Sequence, residues 1–207
     1  MFCLCLASTG VASAQRLDFD LKAGVPLTNQ TRCCNDESRR YILGGGVEAR
    51  LWRGFAVEGN FLYRRLGQQS SFRYNILEQP GQDTPVVVSN DTRSRYDVVE
   101  VPVLGKYYFR HDKKMSPFVS TGYSFRKIRE TNEYSAQLQF ADGRVENPQG
   151  KSSRWGQLDI GAVVGLGLRW NVGRISLVPE FRYTRWGGQP QGPGYKQQVD
   201  FLLGIRF

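Results

Sequence analysis

One histidine, His111, sits beside Asp112 in "FRHDKKM". Nucleophilic chemistry needs a base within hydrogen-bond reach of a Ser, Cys or Thr, and a third group to orient that base. A lone histidine in a short charged stretch between apolar runs reads instead as a solvated turn residue. Cys33 and Cys34 are adjacent in "TRCCND". Neighbouring cysteines bridge each other only with strain, so a strained disulfide, a link to another chain and two thiols all stay open. Structural zinc takes four ligands, which this spacing and a single histidine do not supply; no metal and no cofactor is expected. "LGGG" and "GLG" lie inside strand-like runs and open no helix, so neither is a phosphate loop. The formal charge of +9 raises nucleic acid as a partner, but the basic residues form no contiguous stripe and none is expected. Glu58 and Glu100 remain as acids for general acid–base work. Carboxylates set among Arg and Lys more often form structural ion-pair networks, and such a network is expected here.

The segments carrying these acids share one pattern. In eight runs apolar residues occupy every second position, as along a strand whose side chains point alternately to opposite faces. The runs are "RLDFDLKAGVP", "YILGGGVEARLW", "FAVEGNFLYRR", "YDVVEVPVLGKYYF", "PFVSTGYSFRK", "LDIGAVVGLGLRW", "ISLVPEFRYTRW" and "QQVDFLLGIRF". The opposite parity carries Glu48, Arg50, Glu58, Arg64, Glu100, Lys106, Asp159, Arg169, Glu180, Arg182, Asp200 and Arg206, with many glycines. A soluble sandwich would turn the charged face to water. A membrane barrel reverses this, with the apolar face toward lipid.

Three features favour the barrel. Short connections ("WRGF", "RHDKKMS", "NVGR") alternate with long ones, as periplasmic turns alternate with external loops. Aromatics gather toward both strand ends: Trp52, Phe55, Tyr107, Tyr108, Phe109, Trp170 and Phe207 at one, Tyr63, Tyr96, Phe125, Trp155, Tyr183, Trp186 and Tyr195 at the other. Two such belts match two membrane interfaces. The inward set mixes both signs, so it can pair across strands, and its glycines leave room for long Arg side chains. Side chains fill a ring of eight strands. The expectation is all-β: an eight-stranded antiparallel up-and-down transmembrane β-barrel over 15–207, ion-paired inside, with both termini periplasmic. Closing the ring pairs the last strand with the first and leaves no edge.

Residues 1–14, "MFCLCLASTGVASA", read as a secretory signal cleaved after Ala14. Its positive n-region is missing, as in a leader that starts further upstream or in an atypical signal. Removal also takes Cys3 and Cys5.

On the strand pattern, and on "VEVPVLGKYYF", "VPEFRYTRW" and "VDFLLGIRF", the chain resembles the bacterial outer membrane protein beta-barrel domain family, of the small OmpA/OmpX-like kind. The resemblance implies outer-membrane lipid and the barrel-assembly machinery as partners. Phe201, Leu203, Ile205 and Phe207 match the C-terminal signal that machinery reads. Barrels of this strand count include a lipid A palmitoyltransferase and a lipid A deacylase, which use His with Ser. His111 falls in a periplasmic turn, away from the outer leaflet, so no enzyme is expected.

Cations near the external rim, among them Arg65, Arg95, Lys127, Arg129, Arg154 and Arg185, are candidates for the phosphates of lipopolysaccharide. "SFRYNILEQPGQDTPVVVS" and "YSAQLQFADGRVE" have strand-like flanks around Pro80-Gly81 and Asp142-Gly143. Strands three to six would then project outward as a sheet able to take a surface partner. The functional expectation is a monomeric structural or surface-interaction protein. The competing readings are a soluble or periplasmic lipocalin-like barrel, with faces reversed, and a narrow porin-like channel.

Overall fold

The computed structural model describes residues 17–28, 35–36, 41–75, 85–109, 114–140, 142–188 and 196–207. His111, Cys33, Cys34, Tyr195, Pro80-Gly81 and the leader lie outside the described residues. The period-2 runs fold as strands: Leu17–Pro26 (β1), Asn35–Asp36 (β2), Ile42–Trp52 (β3), Phe55–Asn75 (β4), Pro85–Tyr108 (β5), Met115–Phe140 (β6), Val145–Glu146 (β7), Gln149–Trp155 (β8), Asp159–Val172 (β9), Ile175–Trp186 (β10) and Gln197–Arg206 (β11).

Eight of these close a ring. Antiparallel ladders join β1 to β3, β3 to β4, β4 to β5, β5 to β6, β6 to β9, β9 to β10 and β10 to β11. The β11 ladder to β1 completes it, in register from Asp20 opposite Arg206 to Pro26 opposite Asp200. The Phe207 N–H donates to the Phe19 carbonyl at 2.9 Å, so closure runs to the last residue. Two-residue turns at Arg53-Gly54 and Gly173-Arg174 hold φ of 41° and 88°, and of 64° at Gly173. Such turns match the right-handed twist of the flanking strands. Pro102 and Pro179 lack the N–H a ladder needs, and pairing skips beside them, between Gly59/Val103 and Leu62/Glu100 and between Leu177/Trp170 and Glu180/Gly167.

The faces are inverted relative to a soluble barrel. Phe19, Leu21, Phe61, Val103, Val164, Leu166 and Phe181 are exposed on the outside, while Glu48, Glu58, Lys106, Glu180 and Arg206 are buried within. A lipocalin-like barrel would require the opposite arrangement.

Beyond the ring, β4, β5 and β6 run on together to Asn75, Pro85 and Phe140, and β8 takes the place of β9 beside β6 from Arg129 opposite Trp155 to Ser135 opposite Gln149. The long connections after Leu66 and Ile128 are therefore largely sheet, projecting past the long-loop end. Gly143, at φ 84°, turns β6 toward β7.

Three aromatics expected in the belts face inward instead. Tyr108, Tyr96 and Trp186 are buried. Each shares parity with an inward residue of its strand, Lys106, Val98 and Arg182 respectively, and a period of two leaves it no other side. The inward glycines also differ from expectation. A Cβ on Gly24, Gly44 or Gly122 would run into the neighbouring strand's carbonyl oxygen, and the residues opposite are Leu202, Leu62 and Leu104. These glycines make room for leucines rather than for arginines.

Candidate functional site

The lumen is built in layers of charge. At the short-turn end Arg50 donates to Asp18 at 2.5 Å, and the Arg169 guanidinium lies 4.8 Å from the Tyr108 ring centre. Next comes Arg206 of β11. Its guanidinium donates to Glu48 at 2.7 Å, to Asp20 at 3.1 Å and to Glu58 at 3.1 Å, and to the Tyr108 hydroxyl at 3.0 Å. That hydroxyl donates in turn to Glu48 at 2.7 Å. At mid-barrel the two oxygens of Glu58 accept from Lys22 and Lys106, each at 2.5 Å. Arg182 pairs with Glu180 at 3.0 Å. Toward the long-loop end Arg64 donates to Glu100 at 2.5 Å and to Gln198 at 2.6 Å. Arg126 pairs with Asp159 at 2.5 Å and stacks 3.9 Å from the Trp186 ring centre.

Glu48 and Glu58 stand directly opposite each other on β3 and β4. Like charges so placed repel. Arg206 and Lys106 reach both, Lys106 lying 3.8 Å from Glu48 and 2.5 Å from Glu58. Removing one partner of such a buried set leaves an uncompensated charge, at a cost of about 3–5 kcal/mol. The layers end in apolar packing. Ala56, Tyr108, Phe118 and Val178 pack together toward one end, and Leu66, Tyr96, Val98 and Ile128 toward the other.

All twelve lumen residues singled out from the sequence lie on the inner face, with Arg50 and Asp159 only half-buried at its ends. Sequence reasoning left out Asp18, Asp20, Lys22 and Arg126, although they share the same parity. It also left out Gln198 and the Tyr108 hydroxyl, which carry no charge to draw notice. Among the described residues, the ring encloses eight acids (Asp18, Asp20, Glu48, Glu58, Glu100, Asp159, Glu180, Asp200) and eight bases (Lys22, Arg50, Arg64, Lys106, Arg126, Arg169, Arg182, Arg206).

This is an apolar band around a charged lumen, on a closed ring of eight strands. Residues 12–187 match a family whose description reads "Outer membrane protein beta-barrel domain". The chain belongs to this family. Solved structures similar to this outer-membrane barrel include Neisserial surface protein A, at 13% identity and TM-score 0.45, covering 92% of this chain and 94% of that one. Ail, the attachment invasion locus protein of Yersinia pestis, is similar at 15% identity and TM-score 0.39, covering 92% and 97%. The N-terminal β-barrel domain of Pseudomonas aeruginosa OprF is similar at 11% identity and TM-score 0.36, covering 92% and 96%. No curated protein sequence matches.

The outer-membrane barrel spreads its six rim cations over three places. Arg65, Arg95, Lys127 and Arg129 share the outer face of β4, β5 and β6, just past Tyr63 and Phe125. Arg65 pairs with Asp97 at 2.8 Å, and Lys127 and Arg129 lie 5.6 and 5.8 Å from the Trp155 ring centre. Arg185 is across the ring, in register with Ala162 and Gln197. Arg154 is on the inner face, paired with Glu130 at 2.6 Å. A cavity of about 360 Å³ opens beside that pair, where β6 leaves β9 for β8, lined also by Tyr96, Ile128 and Trp155. Phe201, Leu203, Ile205 and Phe207 lie in a row on the outer face of the closing strand, with Phe201 4.9 Å from the Phe181 ring centre.

Proposed function

We propose that this outer-membrane barrel is a non-catalytic surface-interaction protein, a monomer whose lumen is sealed by its ion pairs and whose working part is the sheet projecting past the apolar band. The observation that carries this reading is the continuation of β4, β5 and β6 well past the ring, which a purely structural plug does not need. In this reading residues 1–14 are a cleaved leader, both termini face the periplasm and the projecting sheet faces outward. The short turns at Arg53-Gly54 and Gly173-Arg174, on the same side as Leu17 and Phe207, support that orientation.

Two further parts of the proposal concern lipid and assembly. In this reading Arg65, Arg95, Lys127 and Arg129, just past the outer-face Tyr63 and Phe125, would meet lipopolysaccharide phosphates, and charge-assisted bonds to phosphate suit Arg well. Arg185 can add to that rim from the far side, whereas Arg154 is committed to Glu130. The row ending at Phe207 is the feature the barrel-assembly machinery would read.

The test is fractionation followed by electrophoresis of unboiled and boiled samples, with protease added to intact cells. Sedimentation with the outer membrane, a heat-modifiable band and cleavage within the projecting sheet are expected. A protected sheet would reverse the orientation. For the rim, Gln at Arg65, Arg95, Lys127 and Arg129 together is expected to lower co-purified lipopolysaccharide; unchanged lipid would refute that part.

A further inference from the structure

The projecting sheet has two chemically distinct faces. From the row of Gln68 outward, the outer face of β4, β5, β6 and β8 carries Arg73, Asp91, Arg93, Arg95, Glu133 and Lys151. Among the described residues, the inner face of the same four strands carries no side chain charged at neutral pH, although Glu130 and Arg154 flank it one row below and β2 sets Asp36 opposite Gln68 at its near edge. At its far margin Glu146 of β7 lies 3.7 Å from Arg144, whose guanidinium stands 4.1 Å from the Phe140 ring centre. In place of charge the inner face offers hydroxyls, amides and aromatic rings. A sheet merely held in water has no reason to sort its charges this way.

The rings are displayed. Phe72 and Tyr74 are 49% and 47% exposed and stack with centres 5.8 Å apart and planes 18° apart, forming one platform. Two strands away Tyr134, 49% exposed, lies over Gly150, where a Cβ would collide with its ring. Between the two aromatic stations stand Asn90 and Thr92 of β5, with Asn132 one row below. The Oδ1 atoms of Asn90 and Asn132 are buried and accept no hydrogen bond within the protein. Buried acceptors without partners are costly; these two oxygens are closed off from solvent, so a ligand hydroxyl meets them only when the amide side chains turn outward, a turn their lack of partners favours.

Flat rings accept the C–H faces of pyranose sugars, while amides and hydroxyls exchange hydrogen bonds with sugar hydroxyls. Charges confined to its margins offer little to sulfate or phosphate laid across its middle. We infer that the inner face of the projecting sheet binds a neutral oligosaccharide chain, laid across β4, β5 and β6 with sugar rings on Phe72/Tyr74 and on Tyr134. The inference rests on the projecting sheet being the interacting part, but not on its orientation in the cell.

The test uses the full chain, refolded in detergent and checked by its heat-modifiable band, on an array of neutral hexose oligosaccharides and their sulfated counterparts, at low and high salt. Polysaccharide released from the cell's own lipopolysaccharide is spotted alongside. Retention of neutral chains, insensitive to salt, is expected. Binding should fall at least about tenfold, or about 1.4 kcal/mol, in Phe72→Ser/Tyr74→Ser and again in Tyr134→Ala, with Arg93→Gln/Lys151→Gln unchanged. Retention of the cell's own polysaccharide would identify its coat as the source, and retention of the array sugars an external one. Failure to retain any neutral chain, retention of sulfated chains alone, or neutral binding indifferent to the aromatic variants would each overturn the inference. None of these outcomes would touch fractionation or heat modifiability, so the outer-membrane reading stands or falls separately.

Discussion

At the scale of single residues, Arg206 has the most to do. It is the penultimate residue, yet it meets Asp20, Glu48 and Glu58, which come from the first three strands of the ring. Until β11 closes on β1, Glu48 and Glu58 face each other without it. Closure and neutralisation of the lumen are thus one event. Arg206→Gln keeps much of the side chain's length and removes the charge, so it should destabilise the folded barrel by about 3–5 kcal/mol. A lowered urea midpoint in lipid vesicles and a reduced heat-modifiable fraction are the readouts. An unchanged midpoint would mean that Lys106 alone suffices to hold the two acids.

At the scale of elements, three inward glycines of the ring, Gly24, Gly44 and Gly122, each face a leucine on the neighbouring strand. Gly44 stands opposite Leu62, and a Cβ there would strike the Phe61 carbonyl and the Leu62 side chain. Backbone cannot step aside as a side chain can. Gly44→Val should therefore cost about 1–3 kcal/mol by overpacking, read again in the urea midpoint, whereas Gly59→Ala, with open space around its Cβ, should be nearly silent. The projecting sheet is held differently, by exposed pairs. Glu130, outside the apolar band, is pushed up by burial, but hydrogen bonds from Arg154 and Asn132 outweigh this and hold its carboxyl below the ordinary range. A depressed folded value means that this stabilisation is present above the unfolded carboxyl's pKa and is lost as pH falls through the folded one. Amide exchange in β8, corrected for the intrinsic pH effect, should accelerate in acid while the ring strands stay protected. Equal protection of β8 at neutral and acid pH would show that its ladder to β6 does not need the pair.

At the scale of the whole molecule, what the sequence discloses and what it hides follow from period and distance. The eight ring strands were legible because a period of two with charge on one parity survives in every run, even through "LDIGAVVGLGLRW". The extension was legible in outline, since Asp142-Gly143 is a turn pair with strand-like flanks. Position along a strand misled for Tyr108 and Trp186, where parity was the better guide. Partnerships were not legible at all. Arg206 and Asp20 are 186 residues apart, and which acid lies level with which base depends on the stagger of the closed ring, a property of all eight strands together. That stagger also decides whether anything passes through. Equal numbers of acids and bases among the described residues, with Glu58 and Lys106 fully buried at mid-barrel, support the proposal of a lumen sealed by its ion pairs. Apolar clusters toward each end add to the obstruction. The protein in a planar bilayer should therefore show no discrete conductance steps under applied voltage. Repeatable steps that survive deletion of the projecting sheet would place a water path through the ion pairs and make the lumen, rather than the sheet, the working part.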